Sequence, residues 1–573
     1  MSYFKKILGA LFLAFTLLFS CLLLSACDDK GSKNEAKTEV KSEAKAEEKP
    51  EAKAEEKPEA KVEDKAKAFH IAAPLVGTGD SIKYFWLQDG SQDGGGLVSY
   101  CLYRSLLMPS ADLKSYKPDL ASSYEISEDG LEYRFVLKDN LKFSDGSLLS
   151  LEDVKASIQA ALKVSLINGI FPSNFIKIKG AQDFKDGKSD NIEGIAIDGS
   201  KMTITLNEPV GVFEKIIGQL LIFPKSMLDK ENLLELHNSA FWKAPITSGM
   251  FKVGKISAGN FIELVRNEHY EGVAPSIEKI YINFIQNPTL ALQDGKSYMY
   301  FTNKLDEIKE IKALSQIKEF PIDILFYRYF IANLSGDEGK GESIIADKRV
   351  REAILYALDK EQITQALLGG IATPTSTGVP AKLSDFWAEA NRYVYNPEKA
   401  KELLKEADFD FSKTLKIAYY YSDQSSQDLM AVVANQLKDV GIKTEVINIQ
   451  SDPTAALFKT RKYDLGYKGL SAFDYEAWYG EYSSNNVNFA NITNKNTDFD
   501  ELINELARSS SEERVLVLEK LQKLEQEKLL KMPFYTIKNF IYINTDKVSL
   551  PEGLVFGNPY YQYDFQFEKW QLK

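Results

Sequence analysis

Hydrophobic and polar positions change rhythm several times along this 573-residue chain, and each change marks an element. An apolar run from Ile7 to Leu24 comes first, and the next forty residues offer no apolar face at all. Further on, Leu131, Tyr133, Phe135 and Leu137 alternate with Glu132, Arg134, Val136 and Lys138, mostly apolar against polar, as a half-buried strand requires. Glu128-Asp129-Gly130 and Ser144-Asp145-Gly146 read as turns on either side, with Gly130 free to take positive φ. Ser150 is placed to cap a helix beginning at Leu151, and Lys201–Leu206 reads as a strand. The period then becomes helical: Val350, Ala353, Ile354, Ala357 and Leu358 share one face, with Asp347 as its cap. Asp359 and Gln362 have the spacing of a capping box for the next turn. On this block Arg349 and Arg351 read as scaffold. Leu415–Tyr421 predicts a strand, Leu429, Val432, Val433 and Leu437 an amphipathic helix stopped by Gly441, and Ile442–Ile449 a second strand. Such a unit forces a parallel pair with a right-handed crossover.

Lys5 and Lys6 precede the first apolar run, and Leu24-Ser25-Ala26-Cys27 closes it with the small residues and Cys of a lipoprotein signal. Residues 1–26 are then a signal peptide and Cys27 the lipidated N-terminus, with enough acyl chains for stable anchoring. The alternative is an uncleaved anchor, since the run is nearly long enough to span a bilayer. The switch to charge at Asp28-Asp29 favours lipidation. Residues 27–68 form a tether in which the unit AEEKPEAK occurs at Ala46–Lys53 and again at Ala54–Lys61. Glu and Lys each recur every four residues, so like charges meet at i,i+4, and Pro50 and Pro58 interrupt any helix. As a coil the tether spans roughly 35 Å. A wall-binding or partner-binding repeat is the other reading.

The remaining 505 residues are too many for one core and imply two or three lobes. A net charge of −12 without a basic stripe argues against nucleic-acid binding. Cys21 leaves with the signal and Cys27 is acylated, which leaves Cys101 alone as a small buried hydrophobe. Only His70, His237 and His269 exist, no cluster has metal-ligand spacing, and no Gly-x-Ser-x-Gly elbow occurs. Gly187-Lys188-Ser189 and Gly295-Lys296-Ser297 lack the earlier Gly of a P-loop. The chain therefore reads as no enzyme, with no cofactor.

The stretch Lys117–Val154, KPDLASSYEISEDGLEYRFVLKDNLKFSDGSLLSLEDV, closely resembles the signature region of extracytoplasmic solute-binding proteins of the oligopeptide and dipeptide transporter family, solute-binding protein family 5. Gly180-Ala181 with Gly187, Glu208-Pro209, Thr247–Phe251, Arg266-Asn267 with Tyr270, and the run from Asp347 to Asp359 continue the likeness. The resemblance implies an α/β fold of the periplasmic-binding-protein type II-like class: two ligand-clasping lobes and a small extra lobe. Residues 69–113, 201–324 and 540–573 would form lobe I, 114–200 the small lobe and 325–539 lobe III. Tyr560–Lys573 would return as a closing strand that ties the chain ends together.

The resemblance also implies a ligand and partners. Family receptors of this kind bind an extended peptide between lobes, by strand-like pairing and hydrated side-chain pockets, and deliver it to permease subunits driven by a separate ATPase. They act as exported monomers, here facing the periplasm or the outer surface. An Asp pairs with the peptide α-ammonium, and the matching segment here is Tyr463–Trp478. Asp474 is the candidate anchor, although Phe473 stands at the Asp position without a gap, Leu470 replaces a Trp and Ala477 a Pro. Lys468 is a candidate carboxylate contact. Tyr329, Tyr475 and Trp478 are candidate aromatic contacts or core. The same fold also serves receptors for nickel complexes and haem; no His follows His269, which disfavours nickel. A signalling or adhesion lipoprotein is the non-transport alternative.

Overall fold

The computed structural model describes residues 68–573 apart from 76, 84–94, 112, 114, 165, 166, 168, 342 and 559–562. The signal peptide, Cys27 and the tether lie outside the described residues.

Two strands organise the molecule. Ile317–Ala332 and Lys531–Asn544 run antiparallel at the middle of an eleven-stranded sheet. At one end Ile317–Asp323 pairs with Lys538–Asn544, and Lys531–Asn544 also pairs with Met299–Thr302. The sheet continues outward through Ala68–Ala73, Lys279–Phe284, Phe261–Arg266 and Phe251–Ser257. The register slips between Asp323 and Tyr327 and again between Arg328 and Tyr329. Beyond the slip, Phe326–Ala332 pairs with Leu465–Ser471, followed by Thr414–Tyr419 and Lys443–Asn448. A local irregularity in both long strands thus separates two halves of one sheet, and such irregularities bend and twist a ladder. Thr414–Tyr419 and Lys443–Asn448 are parallel and joined by the helix Gln424–Asp439, the βαβ unit expected from the hydrophobic period. Gly441, at φ 92°, turns the chain out of that helix.

A separate four-stranded sheet has the order Ala121–Ile126, Glu132–Leu137, Lys201–Thr205, Ile195–Asp198. Tyr133, Phe135 and Leu137 are buried on one face, and Gly130 takes φ 67° in the preceding turn. Asp153 at the third helical position bonds back to Ser150 and completes a capping box on the helix Leu151–Lys163. One boundary moves. Lys201–Thr205, expected in lobe I, pairs on both edges inside this small sheet, because Met202 and Ile204 bury against the same core as Tyr133 and Phe135. The chain end differs too. Instead of a strand in the main sheet, it forms a two-residue ladder, Gln571–Leu572 with Val548–Ser549. It ties the ends together through aromatic packing: Trp570 sits edge-on to Phe69 at 5.4 Å and Phe567 at 5.8 Å.

The core is divided as the sheet is. The largest cluster joins the small sheet to the first half of the main sheet. Two more clusters cover opposite faces of the second half, one under Val350, Ile354 and Val433, the other around Tyr329, Trp478 and Leu521. Asp347 accepts from Arg349 N–H and Asp359 from Gln362 N–H, but the expected capping box does not close, because Asp359 N–H donates to Gln436 Oε1 instead of the Gln362 side chain. Arg351 donates to the carbonyls of Ile345, Ala346, Lys528 and Leu529 and so locks the helix Lys348–Ala357 to the chain before Lys531. Cys101 is buried, and burial pushes its thiol well above the ordinary range.

Candidate ligand-binding site

The segment that carries the candidate residues leaves the strand Leu465–Ser471 and enters the short helix Tyr475–Tyr479. Asp474 is the N-cap of that helix: its extended backbone turns the carboxylate back, and Oδ1 accepts from Ala477 N–H at 2.8 Å. The side chain is buried in a cluster of two acids and two bases. Arg514 grips Glu476 with both terminal nitrogens at 2.6 Å. Lys215, from the helix Phe213–Gln219 of the other half, reaches across and donates to the Phe473 carbonyl at 2.6 Å. Burial, reinforced by the neighbouring Glu476 charge, pushes Asp474 above the usual carboxylate value. Burial acts on Glu476 as well, but Arg514 overcomes it and holds that carboxyl low. Burial brings Lys215 down to about 8 against the opposing pull of Asp474 and Glu476.

Lys468, Tyr329 and Trp478 meet in a second buried network. Tyr329 pairs with Lys468 across the ladder, so both side chains point to the same face. Lys468 forms an ion pair with Glu481 at 2.7 Å and donates to the Tyr329 hydroxyl, which donates to Glu481. Lys531 pairs with Glu481 at 3.2 Å, donates to the Trp478 carbonyl at 2.7 Å, and lies 3.4 Å from the centre of the Trp478 ring. Glu525 accepts from Trp478 Nε1 at 2.8 Å, from the Tyr482 hydroxyl at 2.7 Å and from Gly378 N–H at 2.7 Å. Burial lowers Lys531 to about 8 and raises Glu525, whereas the two lysines hold Glu481 down against its own burial. Tyr475 and Trp478 are fully buried.

The structure therefore brings Lys468, Tyr329 and Trp478 together, sets Asp474 in a neighbouring cluster and keeps Tyr475 beside both on the same short helix. Sequence reading missed Lys215, Glu476, Glu481, Arg514, Glu525 and Lys531, whose partners come from distant segments. It also missed Arg328. That residue follows Tyr327 and precedes Tyr329, so it points to the opposite face, over Gly469. Its guanidinium carbon lies 4.5 Å from the ring centres of both Phe326 and Tyr421. A β-carbon on Gly469 would sit 2.1 Å from Arg328 Nη1, so the glycine makes room for the guanidinium. A lone Arg in the otherwise apolar and aromatic run LFYRYFIA was the available signal. Among the described residues, no group of three or more His, Cys, Asp or Glu side chains could hold a metal ion.

Comparison with known proteins gives this geometry its setting. Residues 115–498 match the family model for bacterial extracellular solute-binding proteins, family 5. A Brucella ovis protein named as an ABC transporter peptide-binding protein is 26% identical over 396 residues, 66% of this chain and 70% of its own length. The glutathione-binding protein GsiB of Shigella flexneri is 25% identical over 397 residues, 68% of this chain and 72% of its own. Among solved structures, the ABC transporter substrate-binding protein CtaP of Listeria monocytogenes superposes with a TM-score of 0.70 at 23% identity, over 88% of this chain and 99% of CtaP.

Proposed function

This chain belongs to the bacterial extracellular solute-binding proteins of family 5, and from that premise we propose that it is the lipid-anchored peptide receptor of an ABC importer. The family and the α/β fold of several lobes stand on the family match and the structural likeness. Family members are substrate-binding components of ABC transporters rather than enzymes. Among the described residues no helix is long and apolar enough to cross a membrane. The finer reading is that Cys27 carries the lipid, that an extended peptide lies between the lobes, and that permease and ATPase subunits complete the transporter.

The observation that carries this reading is the pair of long strands linking two separately cored halves where their register slips twice in succession, at Asp323–Tyr327 opposite Thr536–Lys538 and at Arg328–Tyr329 opposite Pro533–Tyr535. Two halves joined by so few chain crossings are suited to hinge closure over a ligand. The names of the Brucella and Shigella relatives support a peptide or peptide-like solute. In this reading Asp474 faces the peptide α-ammonium, with Tyr475 beside it. Lys468, Tyr329 and Trp478 form the rigid wall behind that position, their polar atoms already committed to Glu481 and Glu525.

The test is a thermal-shift screen of the full-length protein in detergent against short peptide mixtures, nickel–histidine complexes and haem. A ligand that binds only the folded state stabilises by RT ln(1 + [L]/Kd), about 2.7 kcal/mol at a hundredfold excess over Kd. A shift with peptides is expected. A shift with only the nickel complex or haem replaces peptide by that ligand, and no shift at all favours a signalling or adhesion lipoprotein. For Asp474, wild type should prefer a free-amine peptide to its N-acetyl form and Asp474→Ala should lose the preference. Equal affinity for both forms in wild type removes Asp474 from the site.

A further inference from the structure

We propose that Gly211 and Lys215 form a latch that closes the two halves on each other without help from a solute, so that the resting protein is shut and must open to load. The proposal rests on the hinge-closure reading above and goes beyond it. There a ligand draws the halves together; here the chain's own backbone does.

The latch is built on a rigid base in the first half. The Val210 carbonyl accepts from the Tyr133 hydroxyl, and Glu214 accepts from the Tyr124 hydroxyl. The Phe213 ring packs 4.6 Å from Tyr133 and 6.2 Å from Phe175, and Ile216 and Ile217 are buried in the same core. These contacts fix residues 210–219 to the small sheet. Gly211 and Lys215 can then move relative to the second half only as the halves themselves move.

Both residues meet backbone of the second half. Gly211 N–H donates to the Ala507 carbonyl at 3.1 Å. Ala507 lies in the last turn of the helix Asp500–Arg508, where carbonyls have no partner within the helix. Ser509 N–H takes those of Glu505 and Leu506, and the first half supplies the donor for Ala507. The two backbones come so close that a β-carbon on Gly211 would fall 2.0 Å from the Ser509 carbonyl oxygen. Glycine is what permits this seam. Four residues on, Lys215, 8% exposed, donates to the Phe473 carbonyl at 2.6 Å, and the carboxylates of Asp474 and Glu476 that attract it also belong to the second half. An ammonium whose acceptor and flanking carboxylates come from the opposite half is buried by the meeting of the halves. Each of these contacts joins protein to protein. Closure therefore has a free energy of its own, to which a solute adds. A receptor that rests shut loads only through its open fraction.

The test uses full-length protein in detergent, unfolded in guanidinium, dialysed and refolded to strip any carried solute. Spin labels at Asp190→Cys in the first half and Asn504→Cys in the second, both exposed, report the separation of the halves by pulsed electron resonance. Without solute the latched protein should give one short distance, and amide exchange at Gly211 should be slowed at least about tenfold. Gly211→Ala, whose β-carbon cannot share the seam with Ser509, should lower the closed-to-open ratio about tenfold and add a longer distance. Gly480→Ala, whose β-carbon meets nothing within 4 Å, should leave the distribution as in wild type. If Gly211→Ala does not refold, the wild-type distance and the Gly211 exchange decide. A long distance with fast Gly211 exchange in solute-free wild type overturns the latch, as does a Gly211→Ala distribution equal to that of wild type. If that long distance shortens with the peptide mixtures of the thermal screen, the receptor reading stands without the latch. A short distance that Gly211→Ala lengthens, in a protein whose melting no probe shifts, upholds the latch and removes the peptide reading.

Discussion

Glu481 should be much less replaceable than Lys531, although the two form one ion pair. Glu481 is the single carboxylate between two buried ammonium groups, Lys468 and Lys531, and also accepts from the Tyr329 hydroxyl. In Glu481→Gln the ammonium groups of Lys468 and Lys531, 12% and 0% exposed, both lose their ion-pair partner, and Lys531 keeps only the longer-range pull of Glu525. Breaking a buried pair from one side costs about 3–5 kcal/mol because the remaining charge is uncompensated. In Lys531→Met the accounting differs. Burial holds the Lys531 ammonium down to about 8 from the usual 10.5, so its charge costs roughly 3 kcal/mol at neutral pH, and the substitution removes that cost. Against this stands the Trp478 carbonyl left without its donor, about 1–3 kcal/mol. Lys468 and Glu481 remain paired, and Glu525, whose carboxyl burial already raises, can take a proton once Lys531 is gone. The net change is within about 1–2 kcal/mol of zero. Urea unfolding followed by tryptophan fluorescence at pH 7 measures both variants. If Lys531→Met lowers stability as much as Glu481→Gln, the charge count behind this reasoning is wrong.

Lys215→Met should flatten the stability–pH curve above neutrality. The unfolded chain keeps this proton up to 10.5 and the folded chain only to about 8, so this group makes stability rise with pH across that window; thermal unfolding between pH 7 and 10.5 reads the difference. Arg351→Ala strands up to four carbonyls and should cost about 3 kcal/mol in urea unfolding, whereas Arg349→Ala, whose guanidinium is exposed beside Asp347, should leave the urea midpoint close to that of wild type. Gly378→Ala should lose about 3 kcal/mol by the same measurement, because its β-carbon would fall 2.1 Å from the Trp478 indole, itself fixed by Glu525.

What could be read ahead of the structure was local. A capping side chain lies three residues from its N–H donor at Asp359, and a capping box closes within four residues at Ser150. The alternation at Tyr133, Phe135 and Leu137 needs only the period of a strand. The partner of a strand is a different matter. Lys201–Thr205 carries the same alternation wherever it pairs, and only Met202 and Ile204 meeting Tyr133 and Phe135 assign it to the small sheet. The site was legible to the same degree. Segment 463–478 could be found, but what its side chains do depends on Lys215 from more than 250 residues earlier and on Glu525 and Lys531 from some fifty residues later.

That dependence also changes which charge speaks about the ligand. A titratable residue marks a binding site by what its fold leaves unfinished, and the residues that looked most like contacts are the most finished. Asp474 is capped and faces Lys215, and Lys468 is neutralised by Glu481. Their free energy is already spent on the resting protein, so a ligand ammonium meeting Asp474 gains only the difference between itself and Lys215. It follows that Lys215→Met should widen the preference for free-amine over N-acetylated peptides if Asp474 is the anchor. An unchanged preference would place the ammonium elsewhere.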